Sequence, residues 1–378
     1  MSIFIIPDDL RYLSGNNSVN VLIGENGSGK STLLRAICDF NKYTGQQVIA
    51  IANTIYDKFP SSKNIDLLKI SSGRSVTIKA ISKALVQLVD NEFQGARSMA
   101  RALEYVGFSP IIRFELVPKN KDYSEQIMKL DLDKITHLEI LRTLAALHDH
   151  FSRERFIDVN LHIDNFSDIK NSVIFQYFKL EKYLRLLSLW KTPKMSLFRD
   201  YKEISLHQAS SGELTLITSL IYISSVITRN AIILVDEPEN SLHPKWQTEY
   251  VKNLLDLFYL YEPSIVIATH SALILNGAEL NYENVNVYKG KDGKFFLKKN
   301  SSTNVEEIYQ DFFNVITPQN RYISEEIIEK LNSLSDKKIT KIEFDSFINN
   351  LISDSYDEKQ QVALKGVLEL SAEVIKES

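Results

Sequence analysis

Apolar residues are laid along this chain in two rhythms. Short continuous runs occupy Val19-Asn20-Val21-Leu22-Ile23, Val48-Ile49-Ala50-Ile51-Ala52, Ala231-Ile232-Ile233-Leu234-Val235 and Ser264-Ile265-Val266-Ile267-Ala268-Thr269. Runs of this kind predict strands covered on both faces, as in a mostly parallel sheet flanked by helices. Longer stretches repeat apolar positions at helical spacing. Leu33 to Ile37 follow the first run, and 76–89, 135–151, 174–190 and 214–221 predict further helices. Asn286-Val287-Tyr288 and Phe295-Phe296-Leu297, with Gly290 and Gly293 between them, predict a hairpin. Beyond residue 303, segments 305–313, 325–334, 344–352 and 359–375 again alternate at helical spacing, as a packing or dimerising appendage would.

Composition narrows the class. With 378 residues and 44% hydrophobic content the chain is globular and can build one large domain plus an insertion, or two small ones. A lone cysteine, Cys38, excludes a disulfide framework, suits the reducing cytoplasm and reads as a packing residue. No run approaches the roughly 20 apolar residues that span a bilayer, and the first residues do not read as a signal peptide. A formal charge of −4 gives no global drive toward nucleic acid. A local basic patch exists at Lys289, Lys291, Lys294, Lys298 and Lys299, where lysines more often protect a strand edge.

The chemistry sits at the ends of the apolar runs. Gly24-Glu25-Asn26-Gly27-Ser28-Gly29-Lys30-Ser31-Thr32 satisfies the phosphate-loop pattern, between a predicted strand and a predicted helix. Glycine permits the left-handed backbone that turns successive N–H groups toward phosphates. Lys30 supplies a positive charge, and the Ser31 hydroxyl can ligate Mg²⁺. The run ending at Val235 delivers Asp236, placed to hold Mg²⁺ through water, and Glu237, placed to polarise an attacking water. The run ending at Thr269 delivers His270, which can donate to a γ-phosphate oxygen or hold the water and Glu237 in line. Ser210-Ser211-Gly212-Glu213, before an apolar helix, reads as an N-cap box with Ser210 as the cap, a phosphate-sized anion site.

Taken in order, the phosphate loop, Ser-Ser-Gly-Glu, Asp236-Glu-Pro-Glu-Asn-Ser-Leu-His-Pro244 and Ala268-Thr-His-Ser271 resemble the ABC-type ATPases of the SMC, RecF and OLD-like branch. The resemblance implies a P-loop α/β domain with an inserted region between its motif halves; composition shifts and helical spacing divide the chain into 1–58 and 205–300 for that domain, a mainly helical insertion over 75–200 and a helical appendage over 303–378. The resemblance implies ATP and Mg²⁺ as ligands. It also implies a head-to-tail homodimer in which Ser210, Ser211, Gly212 and Glu213 meet the nucleotide held by a partner's Gly24 to Thr32. It further suggests control of a separately encoded effector, such as a nuclease, in bacterial anti-phage defence. The alternatives are an ATPase that clamps DNA in repair or chromosome maintenance, and the energising subunit of a transporter with a separate membrane protein.

The sequence departs from the pattern at Ala209 and Ser211, where the consensus has leucine and glycine, and at Asn53, which stands where a glutamine is expected. A second activity finds little support. Asp131-Leu132-Asp133 reads as a helix start, and His148-Asp149-His150 as a polar helix end. Arg142 to His148 fits a permissive ribonuclease pattern only loosely.

Overall fold

The computed structural model describes residues 6–13, 15–54, 57–70, 74–87, 94–116, 127, 132–162, 172–186, 193–298, 305–313, 321–354, 361–368 and 371. Its centre is a seven-stranded sheet. The strands are β1 (Ser18–Ile23), β2 (Val48–Ala52), β3 (Asp66–Lys69), and, after a long intervening stretch, β8 (Ile232–Asp236), β9 (Ser264–Thr269), β10 (Val285–Lys291) and β11 (Lys294–Lys298). Their spatial order is β11-β10-β1-β9-β8-β2-β3, and every pairing is parallel except that of β10 with β11. The fold is therefore α/β, with a mostly parallel sheet flanked by helices.

All residues of β2, β8 and β9 are buried, which is why these runs carry no alternation. Successive residues still point to opposite faces. Val21, Ile23, Ile233, Val235, Ile265 and Ile267 join the larger core. Leu22, Leu234, Val266 and Ala268 join the smaller one with Leu33, Leu34, Ile37 and Cys38 of the helix after β1. Cys38 is buried among apolar neighbours, and burial pushes its thiol up to about 12, so it packs and does not react. Asn20 is the buried polar exception within β1. It donates to the Ile265 carbonyl at 3.4 Å and accepts from Asn286 at 3.1 Å.

Helices cover both faces: α1 (Asp8–Arg11) and α2 (Lys30–Asn41) on one; on the other α3 (Arg74–Gln87) and α4 (Gln94–Tyr105), with α7 (Ser211–Val226), α8 (Pro244–Phe258) and α9 (Ala272–Asn281). α7 is apolar around nearly its whole circumference because it is buried on nearly all sides. The stretch between the two parts of the sheet holds α5 (Lys134–Arg153) and α6 (Val173–Leu186). It also builds a second, antiparallel sheet in the order β5-β4-β6-β7, from β4 (Ile111–Glu115), β5 (Ile157–Asn160), β6 (Lys194–Arg199) and β7 (Lys202–Ser205). The sequence pattern gave no sign of these strands. Further on, α10 (Val305–Phe313) packs Ile308 and Phe312 into the larger core. α11 (Arg321–Ser335) and α12 (Lys341–Asp354) enclose a separate small core of Ile327, Leu334, Phe344, Ile348, Leu351 and Leu364.

α8 and α9 approach so closely at Gly277 that a Cβ there would lie 1.9 Å from the Thr248 carbonyl oxygen. Gly277→Ala is expected to force the helices apart at a cost of about 1–3 kcal/mol, lowering Tm by several degrees. Gly366→Ala, with open space around the new methyl, should leave Tm unchanged or raise it. Thermal unfolding of the two variants side by side checks this.

Candidate active site

The parallel register brings the carboxyl ends of four strands together. Ile23 lies opposite Thr269, Ala268 opposite Asp236, and Asp236 opposite Ala52. The residues that leave these strands therefore meet: the phosphate loop after β1, Asn53 after β2, Asp236 and Glu237 at the end of β8, and His270 after β9. Ligands of open α/β sheets bind at this edge.

In the loop, Gly24, Gly27 and Gly29 have φ of 155°, 84° and 98°. Gly29 is the N-cap of α2 and no side chain caps that helix, which leaves its first N–H groups facing an anion site. Gly24 has a further constraint, since a Cβ would sit 2.7 Å from the Gly290 carbonyl of the β10–β11 hairpin. The Gly293 N–H at the tip of that hairpin donates to the Ser28 carbonyl at 3.2 Å. Asn26 and Gly27 form an exposed crest, whereas Ser28 and Lys30 are buried. Lys30 Nζ donates to the carbonyls of Gly24 (2.7 Å) and Glu25 (3.0 Å). Burial lowers its pKa, opposed by the charges of Glu237, Glu239 and Asp236. Thr32 accepts a hydrogen bond from Lys58 at 2.7 Å, a partner the sequence did not suggest.

Ser31 Oγ donates to Asp236 Oδ1 at 3.1 Å, joining residues 205 positions apart. The other carboxylate oxygen, Oδ2, is buried with no partner, as are the Ser28 hydroxyl and both amide atoms of Asn53. Orphaned oxygens beside a serine–aspartate pair fit a hydrated Mg²⁺, which takes one or two protein ligands and keeps its waters. Ser31 and Asp236 would hold it, with Asn53 alongside. Among the described residues no cluster of three or more His, Cys, Asp or Glu is arranged for a metal, at His148-Asp149-His150 or elsewhere.

Glu237 has φ of 51°, an uncommon value for a residue with a side chain. Its N–H still donates to the Ala268 carbonyl at 2.9 Å, and its Oε2 accepts from the Asn240 side chain at 3.0 Å. His270 is tied to Glu239, the second glutamate of Asp-Glu-Pro-Glu. Glu239 Oε1 accepts from the His270 backbone N–H at 2.7 Å and lies 3.0 Å from Nδ1. The hydrogen bond to Glu239 raises the His270 pKa, desolvation opposes it, Glu237 adds to the rise and Lys30 counters it. Glu239 was not among the residues the sequence singled out, because an acid in a turn ordinarily faces solvent.

The Ser210 segment lies apart. Ser210 caps α7, accepting from the Glu213 N–H at 3.2 Å, while Glu213 Oε2 accepts from the Ser210 N–H at 2.8 Å in a full capping box. Glu213 Oε1 takes Arg199 of β6 at 2.7 Å, so its carboxylate is committed to structure. A Cβ on Gly212 would meet the Ser241 carbonyl oxygen at 2.3 Å. Ser210, Ser211, Gly212 and Ser241 line a groove of about 920 Å³ with Gly107, His243 and Trp246, and neither Glu213 nor any phosphate-loop residue reaches it. Elsewhere, Asp133 caps α5 through the N–H groups of Ile135 and Thr136, and Asp131 lies outside the described residues. In the basic hairpin, Lys289 donates to the Asp311 carbonyl and Lys298 pairs with its carboxylate, so two of the five lysines are held in the protein; Lys299 is outside the described residues.

The family model described as "AAA domain, putative AbiEii toxin, Type IV TA system" matches residues 62–276, more than half of the chain. The chain belongs to this AAA family. Among curated relatives, the AAA-type ATPase domain is similar to protein ea59 of Escherichia phage lambda, 23% identical over 69% of this chain and 46% of that protein. It is also similar to the retron Vc95 probable ATPase of Vibrio cholerae serotype O1 biovar El Tor, 30% identical over 27% of this chain and 21% of that protein. The aligned part spans about half of the first relative and a fifth of the second. Among solved structures, an ATP-binding cassette of an ABC transporter in its ADP conformation aligns with a TM-score of 0.34, 13% identity and coverage of 79% of this chain and 86% of that one. An Smc head bound to the C-winged helix domain of ScpA aligns with a TM-score of 0.34, 11% identity and coverage of 75% and 90%. Likenesses this loose carry no part of the functional argument. Among the described residues no helix is long and apolar enough to cross a membrane.

Burial pushes the Asp236 carboxyl up to about 6, against an ordinary 3.8. Between those values the folded state holds a proton that the unfolded chain has released, so stability falls as pH rises from about 4 through 6. Asp236→Asn removes this cost and keeps an acceptor for Ser31. The nucleotide-free variant should be more stable than the parent at pH 8, by on the order of 1–3 kcal/mol, with a smaller gain at pH 5. Denaturant unfolding at both pH values measures it, and a variant less stable at pH 8 contradicts the assignment.

Proposed function

We propose that the chain is an ATP hydrolase that closes on ATP as a head-to-tail homodimer. In this reading its opening and closing control a separately encoded effector, of the nuclease or toxin kind, in bacterial anti-phage defence. One observation carries the hydrolytic part: Lys30, the Ser31–Asp236 pair, Glu237 and the Glu239–His270 pair converge at the carboxyl edge of one parallel sheet. The dimer is supported by the position of Ser210 and Gly212, on a groove that no phosphate-loop residue of the same chain lines. A second copy could bring its phosphate loop to that groove. The defence setting draws support from the toxin named in the family description and from the retron ATPase among the relatives. The OLD-like placement within the ABC group belongs to the same reading.

In-line hydrolysis asks the protein to position groups and stabilise charge. The loop N–H groups and Lys30 cradle the β- and γ-phosphates once Lys30 turns from the Gly24 and Glu25 carbonyls. Mg²⁺, held by Ser31 and Asp236, would supply charge neutralisation at the transferred phosphoryl group. Glu237 accepts the proton of the attacking water, its carboxylate aimed by Asn240. His270 orients that water or donates to the γ-phosphate. Ser210 and Gly212 of the facing copy would complete the cage.

Glu237→Gln should keep ATP binding, lose turnover by about a hundredfold or more and accumulate as an ATP-bound dimer. Nucleotide binding, phosphate release and size-exclusion chromatography of the purified chain read these separately, and turnover at the parental rate would sink the assignment. Co-purification of the same variant from its native host tests the effector: a nuclease or toxin in stoichiometric amount supports the gated complex, and retained DNA without one points to a clamp instead.

A further inference from the structure

We propose that Glu239 is a positioning residue for His270: its buried carboxylate fixes the imidazole as the Nδ1–H tautomer and turns the bare Nε2 toward the reaction site. The inference rests on the reading above that residues 236–270 form the hydrolytic edge.

Glu239 is almost wholly buried, with its side chain 5% exposed, while the ring of His270 is 41% exposed. One oxygen, Oε1, collects both His270 donors, the backbone N–H at 2.7 Å and the ring at 3.0 Å. An ionised carboxylate can only accept, so the ring nitrogen facing it must carry the hydrogen. The ring is then held by two bonds to a single oxygen, one through its own backbone, which fixes orientation as well as protonation. Glu239 is itself locked. Its carbonyl accepts from the Leu242 N–H at 2.9 Å, closing the turn after Pro238. Its second oxygen, Oε2, is buried without a partner. A buried acid left half satisfied is costly, and a structural role alone would be served at less cost by an amide or an apolar residue. Carboxylates behind a working histidine commonly act through its tautomer and basicity. With Nδ1 spoken for, Nε2 is the atom free to accept from the attacking water, or, when the ring is protonated, to donate to a phosphate oxygen.

The test uses the full chain labelled with ¹⁵N at its seven histidines. Long-range ¹⁵N–¹H correlation at a pH where the ring is neutral reports the tautomer, and the His270 signals are assigned by their loss in His270→Gln. Expected for the parent is a protonated Nδ1 and a bare Nε2. Glu239→Met should let the ring revert to the Nε2–H form and lower kcat roughly tenfold to a hundredfold. Its KM for ATP should stay within about threefold, because ground-state binding is not what Glu239 serves. Glu239→Gln, which keeps an acceptor, should retain the tautomer and recover most of kcat, and it also covers the case in which the methionine variant fails to fold. An Nε2–H ring in the parent, or a folded Glu239→Met protein with parental tautomer and kcat, overturns the proposal. Glu237→Gln run in parallel separates the two readings: undiminished turnover there strikes the hydrolytic assignment, while the tautomer result stands on its own.

Discussion

Neighbouring parallel strands can never be joined by a tight turn, since each needs a crossover before the chain can run the same way again. This constraint shapes the whole molecule. β1 pairs with β9 and β10, both far downstream, and β2 pairs with β8 across the stretch that holds α3 to α7. A register that sets Ile23 against Thr269 and Asp236 against Ala52 is therefore assembled from the two ends of the chain. Because side chains alternate with period two, a slip of one position would turn Asp236 to the opposite face and break its bond to Ser31. The two apolar cores guard against that slip. Val21 and Leu22, or Val235 and Leu234, belong to opposite cores, so every residue of the ladder has one place to go.

On that frame the site is an electrostatic imbalance. Asp236, Glu237 and Glu239 surround a single buried lysine, and each raises its affinity for a proton while burial works the other way. The imbalance is resolved locally with neutral donors: Ser31 for Asp236, Asn240 for Glu237, and the His270 backbone for Glu239. Burial, with the charges of Glu237 and Glu239 behind it, raises the proton affinity of Asp236, and its one oxygen without a donor is where a cation would suit it. The left-handed backbone of Glu237 and of Ser241 belongs to the same economy, reversing the chain twice within five residues so that a strand end, a turn acid and a helix cap share a small volume.

Much of this was legible in the sequence. Strands buried on both faces announce themselves as unbroken apolar runs with the phosphate loop, Asp236 and Glu237 at their ends, and the Ser210 cap shows at the start of an apolar helix. The antiparallel sheet was not legible, because β4 reads Ile-Ile-Arg-Phe-Glu and β5 Ile-Asp-Val-Asn. Each shows only two buried residues, too few for a period to declare itself. Glu239 escaped for another reason. Its burial comes from the strand end and α8 closing over a turn, a tertiary fact that no local pattern records.

The position of Lys30 carries a consequence for any ligand of the loop. Its ammonium already has two carbonyl partners in its own loop, at 2.7 and 3.0 Å. An incoming anion must outbid both before the lysine turns outward. A singly coordinating anion gains less from the exchange than a polyphosphate that also engages the loop N–H groups. The loop's own backbone thus competes with any ligand for its lysine.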